Sequence, residues 1–240
     1  MKIIVAADYE EMSLIGSEII IEKLISNAGA VLGLATGSTP IGLYGRLTAA
    51  YRAGKITFRN VKTVNLDEYV GLDANDCQSY VHFMREQLFD KVDIDLKNTH
   101  LPNGVAEDLQ AECGRYNRLL EDAPRDLQLL GLGANGHIGF NEPGSPFDGR
   151  TRVVNLTERT IADNSRLFNS KENVPRRAVT MGIADIMQAK SILMLASGKN
   201  KAEAVYGMVK GKVSIDCPAS ILQLHENAVL VADKAAASLL

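Results

Sequence analysis

The sequence predicts an α/β fold, and three features of the chain indicate it. Short apolar runs bounded by glycine or polar residues, typical of buried parallel strands, alternate with longer segments whose apolar residues recur at helical spacing. There is no internal repeat, low-complexity segment or linker rich in Pro, Gly or Ser. A length of 240 residues, 46% of them hydrophobic, suits one large core. We therefore expect residues 1–240 to form a single domain, with a doubly wound, mostly parallel sheet and helices on both faces, as in Rossmann-like folds.

Most of the predicted strands show no alternation of polar and apolar residues, because the strands of a parallel sheet are buried on both faces. KIIVAA at residues 2–7 and SILMLA at residues 191–196 show this pattern. Residues 151–156 differ, since polar and apolar residues alternate there. In chain order, the predicted strands are residues 2–7, 31–35, 61–66, 99–101, 126–132, 151–156, 178–181, 191–196 and 228–232.

The predicted helices have apolar residues at every third or fourth position and follow residues that can cap them. Asp8 is a suitable N-cap for the first helix. Ser38 or Thr39 can cap the second helix, which would have Pro40 at its first position. In chain order, the predicted helices are residues 8–27, 41–53, 79–89, 107–120, 163–168, 183–189 and 199–209.

The charge and the aromatic content limit the partners. A net charge of −3 and a pI near 5.9 provide no basic surface for nucleic acid or for an anionic membrane. The absence of Trp and the low aromatic content leave little to stack on bases. We therefore expect a small neutral or anionic ligand, and neither nucleic acid nor a membrane as partner.

The cysteines and the N-terminal residues indicate a cytoplasmic protein. Cys77, Cys113 and Cys217 are far apart and form no C-x-x-C pair, which argues against a disulfide framework and against a zinc site. The apolar run before Asp8 has only five residues, fewer than a signal peptide needs, and no run is long enough to cross a membrane.

The chemistry is expected in residues 129–143, LLGLGANGHIGFNEP, where a buried strand gives way to glycines and polar residues. The glycines at positions 131, 133 and 136 match G-x-G-x-x-G, the dinucleotide-binding pattern. That pattern requires a helix after the third glycine, but Pro143 and Pro146 follow within ten residues. We therefore reject a dinucleotide cofactor.

His137 lies in this glycine-rich segment, and Glu142 follows five residues later. A histidine oriented by a carboxylate is suited to acid–base catalysis. A metal site is less favoured, because no second His or Cys lies nearby in the sequence.

Asp67 and Glu68 follow the predicted strand at residues 61–66. Partial burial raises the pKa of a carboxyl group and makes it a better base near neutral pH. The alternative is that these acids cap a helix or stabilise a turn, and the two residues by themselves favour this alternative over a catalytic base. Because the carboxyl ends of parallel strands lie on one edge of a sheet, we expect Asp67, His137 and the turn after residue 35 to converge.

That turn, Gly37-Ser38-Thr39, precedes a predicted helix and offers backbone N–H groups and hydroxyls. Such a turn suits a phosphate, although an ordinary capped turn explains it equally well. It lacks the G-x-x-x-x-G-K-[ST] pattern of a nucleotide site, which favours a small phosphoester. Lys201 and Arg166 are candidates for further phosphate contacts.

Five segments of the chain resemble the glucosamine-6-phosphate deaminase family, also called glucosamine-6-phosphate isomerases. They are LATGSTP at residues 34–40, NLDEYVGL at 65–72, GLGANGHIGFNEPG at 131–144, NSRLF at 164–168 and SGKNKAEAV at 197–205. The block GHIGFNEP is the most specific, and the order and spacing fit over nearly the whole chain.

The resemblance implies conversion of D-glucosamine 6-phosphate and water into D-fructose 6-phosphate and ammonia, in amino-sugar catabolism and without a cofactor or a metal. It assigns Asp67 as the base that moves the C2 proton to C1 and His137 as the group that opens the sugar ring. Asn135 and Glu142 would position His137. The phosphate contacts would be Gly37, Ser38, Thr39, Arg166 and Lys201. The Pro- and Gly-rich segment 142–150 would be a lid over the site.

Two departures from the family pattern carry expectations of their own. Some members have Asp where this chain has Asn135, so we expect less negative charge beside His137 and a different pH profile. The allosteric hexameric members are longer at the C-terminus and have a basic effector-site residue near the position of Val154. We therefore expect a monomer or small homo-oligomer that N-acetylglucosamine 6-phosphate does not activate.

Two alternative functions follow from similar folds. A 6-phosphogluconolactonase would also have a histidine in a glycine loop, but it would have an apolar continuation in place of Glu142. A non-catalytic sugar-phosphate sensor would normally carry a DNA-binding region, and the sheet is expected to begin at residue 2, with no room for one.

Overall fold

The computed structural model describes residues 1–165, 168, 170 and 173–240. Within these residues it contains ten strands. They are β1 (Lys2–Ala6), β2 (Val31–Leu34), β3 (Lys62–Asn65), β4 (Asp67–Tyr69), β5 (Thr99–His100), β6 (Leu127–Gly131), β7 (Arg152–Asn155), β8 (Arg177–Thr180), β9 (Ile192–Ala196) and β10 (Ala228–Asp233). All but β4 agree with a predicted strand to within one residue at each end.

Seven of these strands form a parallel sheet in the order β1-β10-β9-β6-β2-β3-β5. From β2 the chain adds β3 and β5 on one side, and from β6 it adds β9 and β10 on the other. The winding direction therefore reverses between β2 and β6, which opens a crevice at their carboxyl ends. The mostly parallel sheet predicted from the sequence is confirmed.

The remaining strands form a second, antiparallel sheet in the order β4-β8-β7. The sequence indicates that residues 152–155 and 177–180 are strands, but a strand pattern does not identify the partner strand, so a single sheet was expected. Between β3 and β4, the Leu66 N–H donates to Leu34 O of β2 (3.2 Å), whereas its carbonyl accepts from Met181 N (2.6 Å). Leu66 is thus the junction at which the chain passes from one sheet to the other.

The α-helices in the described part of the chain are α1 (Tyr9–Ser26), α2 (Ile41–Arg52), α3 (Tyr80–Gln87), α4 (Leu109–Asp122), α5 (Glu158–Asn164), α6 (Ile183–Met187) and α7 (Ala202–Lys210). Asp8 caps α1 as predicted, accepting from Glu11 N at 2.9 Å. None of these helices is both long and apolar enough to span a membrane.

The cap of α2 and the start of α5 differ from the prediction, and α4 and α7 begin two and three residues later than predicted. The N-cap of α2 is Pro40, which has no capping oxygen, so the expectation that Ser38 or Thr39 caps this helix was wrong. α5 begins at Glu158 rather than at residue 163, because Thr157 accepts a hydrogen bond from Thr160 N (3.2 Å) and starts the helix earlier.

The central strands are buried as the absence of alternation predicted. All five residues of β9 are buried, and Leu129 and Leu130 of β6 are fully covered. A smaller apolar cluster packs on the antiparallel sheet and contains Tyr69, Phe140, Leu156, Ile161, Val174 and Ala178. Each sheet therefore has its own apolar cluster, and the crevice lies where the two sheets meet.

Candidate active site

A cavity of about 600 Å³ lies at the carboxyl ends of the central strands. The loops after β2, β6 and β9, the junction after β3, and α5 all contribute to its wall. Six residues predicted from the sequence line it together: Gly37, Ser38, Thr39, Asp67, His137 and Lys201. Asn135 and Glu142 contact the histidine rather than the cavity, and Arg166 lies outside the described residues.

Asp67 is the first residue of β4 and borders the cavity, although only 6% of it is exposed. Burial, and to a lesser extent the negative charge of Glu68, raises the pKa of Asp67 to about 8. A carboxylate that has lost its hydration in this way is a stronger base than one in water. The arrangement can therefore accept a proton from a weakly acidic group held in the cavity.

His137 has its ring Nδ1 2.7 Å from Asn135 Oδ1, and the Asn135 Nδ2 donates to Glu142 Oε2 at 2.6 Å. An ionised carboxylate only accepts hydrogen bonds, so the amide nitrogen of Asn135 must face Glu142 and its oxygen must face the ring. An amide oxygen also only accepts, which places the proton on His137 Nδ1. In the neutral ring, Nε2 is then the nitrogen with a lone pair.

Glu142 is held in its ionised form. Burial opposes its ionisation, but the His137 ring nearby (Nδ1 to Oε1, 3.6 Å) and hydrogen bonds from Thr160 and Asn135 lower its pKa to about 2. Thr160 belongs to α5, so this helix holds Oε1 of the carboxylate while Asn135 holds Oε2. The Glu142–Asn135–His137 chain therefore keeps one orientation of the amide and one tautomer of the neutral ring.

The glycines around His137 allow the backbone and ring to pack closely. A Cβ built on Gly133 would lie 2.4 Å from the His137 ring, and a Cβ on Gly136 would lie 2.6 Å from Cys217 Sγ. Gly136 also has a φ of 85°, which disfavours other residues. A larger residue at position 133 would collide with the His137 ring, and one at position 136 would collide with Cys217.

The Gly37-Ser38-Thr39 turn also borders the cavity. Gly37 has a φ of 94°, and the Tyr9 hydroxyl donates to Ser38 O (3.2 Å) and accepts from Gly42 N (2.9 Å). This hydroxyl therefore fixes the turn against the start of α2. Lys201 lies in a 3₁₀ turn ahead of α7, so a cationic side chain and a helix start border the same cavity.

The segment 142–150 does not cover the cavity, so the expectation of a lid there was wrong. None of its residues belongs to the cavity wall. It is tied back to α6 instead, because Ala184 N donates to Gly149 O (3.1 Å) and Arg150 forms an ion pair with Asp185. α5 forms part of the cavity wall instead.

Several residues that the sequence did not single out also line the cavity. These are Tyr80, Arg159, Thr160, Asn164, Ser197 and Asn200. The segments SGKN, at residues 197–200, and NSRLF, at residues 164–168, were the available signals, since they contain Ser197, Asn200 and Asn164. Arg159 and Thr160 were missed because α5 was predicted to begin at residue 163. Among the described residues, no three His, Cys, Asp or Glu side chains are grouped to hold a metal ion.

Known sequences resemble the chain over its full length. A family model for glucosamine-6-phosphate isomerases and 6-phosphogluconolactonase matches residues 16–231. The glucosamine-6-phosphate deaminase of Clostridium novyi is 51% identical over 239 residues, covering 99% of each chain. That of Oceanobacillus iheyensis is 52% identical over 237 residues, which cover 98% of this chain and 95% of the relative.

Solved structures show the same likeness. A monomeric glucosamine-6-phosphate deaminase is 46% identical, with a TM-score of 0.98 over the whole of both chains. The 6-phosphogluconolactonase of Trypanosoma brucei is 25% identical, with a TM-score of 0.80, covering 100% of this chain and 98% of the other. The chain belongs to the family of glucosamine-6-phosphate isomerases and 6-phosphogluconolactonases.

Proposed function

We propose that this enzyme is a glucosamine-6-phosphate deaminase, which converts D-glucosamine 6-phosphate and water into D-fructose 6-phosphate and ammonia. The observation that carries the proposal is the pairing of a buried carboxyl group, Asp67, with a histidine of fixed tautomer, His137, on the wall of one cavity. The names of the relatives that are about half identical over the full length support the same reaction.

Ring opening is assigned to His137. Its Nδ1 is engaged by Asn135, so Nε2 is the nitrogen left for substrate. Nε2 accepts the proton of the O1 hydroxyl as the C1–O5 bond breaks, and the same proton is returned to O5. The product of this step is the open-chain aldehyde. Glu142 stabilises the transient positive charge on the ring.

Isomerisation is assigned to Asp67. The carboxylate removes the proton from C2, the electron pair moves through C1 to O1, and O1 takes up the proton that the C2 ammonium group releases, which gives an enolamine. The same proton then returns to C1, which leaves an imine at C2. Water adds to the imine carbon, and ammonia leaves as the C2 carbonyl forms. Asp67 must be ionised for the first transfer, so its contribution increases as pH rises toward its pKa of about 8.

Substrate binding is assigned to the phosphate turn and the cationic residues. Gly37, Ser38 and Thr39 would contact the phosphate through backbone N–H groups and hydroxyls, with Lys201 as counter-charge. Arg166 stays a candidate on the basis of the family resemblance. Placing the phosphate here leaves the sugar ring between Asp67 and His137.

Ammonia release from D-glucosamine 6-phosphate tests the proposal, and 6-phosphogluconolactone serves as the competing substrate. We expect ammonia in a 1:1 ratio to fructose 6-phosphate and lactone hydrolysis no faster than the buffer reaction. Rapid lactone turnover without ammonia would make the enzyme a lactonase. Binding of the sugar phosphate without either reaction would make it a sensor.

The assembly and regulation are proposed on the same grounds. The solved relative with a TM-score of 0.98 is described as monomeric. Val154, on β7, supplies no charge for an effector phosphate. We expect sedimentation of a monomer or small homo-oligomer, a Hill coefficient near one, and no change in rate with N-acetylglucosamine 6-phosphate.

A further inference from the structure

Glu68 is a second buried carboxyl group beside Asp67, and the proposed reaction does not use it. It is 2% exposed and belongs to the same strand, β4. Adjacent residues of a strand point to opposite faces, so Asp67 borders the cavity while Glu68 is directed away from it. Burying a carboxylate is unfavourable unless hydrogen bonds satisfy its oxygens.

Three backbone N–H groups satisfy Glu68. Its Oε1 accepts from Tyr69 N (2.8 Å) and Tyr80 N (3.0 Å), and its Oε2 accepts from Val81 N (3.0 Å). The last two are the first residues of α3, where the N–H groups have no partner within the helix. Ser79 Oγ accepts the next one, from His82 N at 3.1 Å. Glu68 therefore joins β4 to the positive end of α3.

The position of α3 matters because this helix carries Tyr80 into the cavity wall. The Tyr80 ring packs 4.8 Å from the Tyr69 ring and 6.3 Å from the Phe140 ring, measured between centroids. Phe140 belongs to the loop that carries His137. The Glu68 carboxylate therefore holds together the strand of the proposed base and an aromatic side of the substrate cavity.

Glu68 also lies close enough to Asp67 to oppose its ionisation. Burial raises the pKa of Glu68 to about 7, although its three backbone hydrogen bonds lower it and the charge of Asp76 raises it. Several titratable groups interact with the two acids. They are Asp76 from the loop before α3, Tyr69 on β4, Tyr80 on α3 and Tyr116 on α4.

We propose that Glu68 is a positioning residue for the deamination, fixing Tyr80 at the cavity wall through α3 and adding its charge to the surroundings of Asp67. The inference rests on the proposed function, because the proposed function is what makes Asp67 the base. Glu68 makes no contact with substrate. It acts through the backbone of α3 and through its charge.

Two variants separate the two actions. Glu68→Gln keeps the length of the side chain but removes the charge, whereas Glu68→Asp keeps the charge but withdraws the carboxylate from α3. We expect Glu68→Gln to shift the acid limb of the kcat/KM profile to lower pH, by on the order of one unit. We expect Glu68→Asp to leave that limb in place and to lower kcat about tenfold, through misplacement of the cavity wall.

The matched control is Glu112→Gln. Glu112 is also buried and also accepts a backbone hydrogen bond, from Asn103 N at 2.8 Å, but it lies on α4 and outside the cavity wall. This variant should keep the wild-type pH profile even if it lowers stability. An identical shift in Glu112→Gln and Glu68→Gln would attribute the effect to general destabilisation and overturn the proposal.

A measurement independent of turnover distinguishes failure of this inference from failure of the proposed function. The side-chain carboxyl of Asp67 can be titrated by ¹³C NMR and assigned by its loss in Asp67→Asn. Its midpoint should be lower in Glu68→Gln than in the wild type, whatever reaction the enzyme catalyses. An unchanged midpoint, or an unchanged kcat in Glu68→Asp, overturns the corresponding half of the proposal. Absence of ammonia from the wild type would overturn only the function.

Discussion

The amide of Asn135 lies between a carboxylate and an imidazole, and hydrogen-bond chemistry leaves it one orientation. Its nitrogen donates to Glu142 and its oxygen accepts from His137. The Asn135 amide thus links the Glu142 carboxylate to the His137 ring, and through it the carboxylate determines which ring nitrogen carries the proton. The carboxylate itself comes no closer than 3.6 Å to His137 Nδ1. Fixing a histidine tautomer in this way usually affects catalysis more strongly than substrate binding.

Replacing Asn135 should therefore lower kcat more than it changes KM. Asn135→Leu has a similar volume but neither accepts nor donates, so the His137 proton is free to occupy Nε2. We expect a loss in kcat of about 10²-fold or more, measured by ammonia release under saturating substrate. Asn155→Leu, at an exposed position of β7, is the control. Equal kcat values for wild type and Asn135→Leu would remove the tautomer argument.

Replacing Asp67 removes the proposed base directly. Asp67→Asn should reduce ammonia release about 10²- to 10⁴-fold while the enzyme still binds fructose 6-phosphate, which calorimetry can measure. Asp73→Asn changes an exposed acid only six residues away and should have little effect. A variant at position 67 with full activity would contradict the mechanism.

At the scale of elements, the loop after β6 shows what a sequence pattern can and cannot predict. The end of the strand, the glycines and the polar residues together predicted where the site lies. The same glycines resembled a dinucleotide pattern, and only the later prolines excluded it. Their packing role was not predictable, because the contact between Gly136 and Cys217 joins residues 81 positions apart in sequence. The segment after Glu142 resembled a lid for a similar reason, since composition does not show which element a loop packs on.

A methyl group at Gly133 should displace the His137 ring. Gly133→Ala places a Cβ within 2.4 Å of ring atoms, so the ring or the loop must move. We expect about 1–3 kcal/mol lower stability and a large decrease in kcat, measured by thermal unfolding and by ammonia release. Gly45→Ala is the matched control, because its Cβ would meet nothing within 4 Å and alanine favours the helix. Activity unchanged by Gly133→Ala would show that the loop accommodates the methyl group.

At the scale of the whole molecule, the alternation of strands and helices was sufficient to predict the parallel sheet. The second sheet was not predictable, because the pairing of β4 with β8 joins residues more than a hundred positions apart. The buried acids on β4 also reduce stability. Unfolded Asp and Glu ionise near pH 4, whereas in the folded protein burial raises the pKa of Asp67 to about 8 and of Glu68 to about 7.

Between about pH 4 and pH 8, these two carboxyl groups therefore hold more protons in the folded protein than in the unfolded chain, and their contribution to stability falls as pH rises. Asp67→Asn removes part of this dependence. Its Tm should exceed that of the wild type by a few degrees at pH 8 and approach it near pH 4.5. Asp122→Asn, on the surface of α4, should follow the wild type throughout. Parallel curves for Asp67→Asn and wild type would indicate that the pKa of Asp67 is the same in the folded and unfolded states, and would contradict its elevation by burial.

The passage of the chain through Leu66 places the two residues of the proposed proton transfers on different sheets. Asp67 belongs to the antiparallel sheet, whereas His137 and the Gly37-Ser38-Thr39 turn follow strands of the parallel sheet. Substitutions at Leu156 or Ala178, which belong to the apolar cluster on the antiparallel sheet, are therefore expected to act on Asp67 more than on the Gly37-Ser38-Thr39 turn.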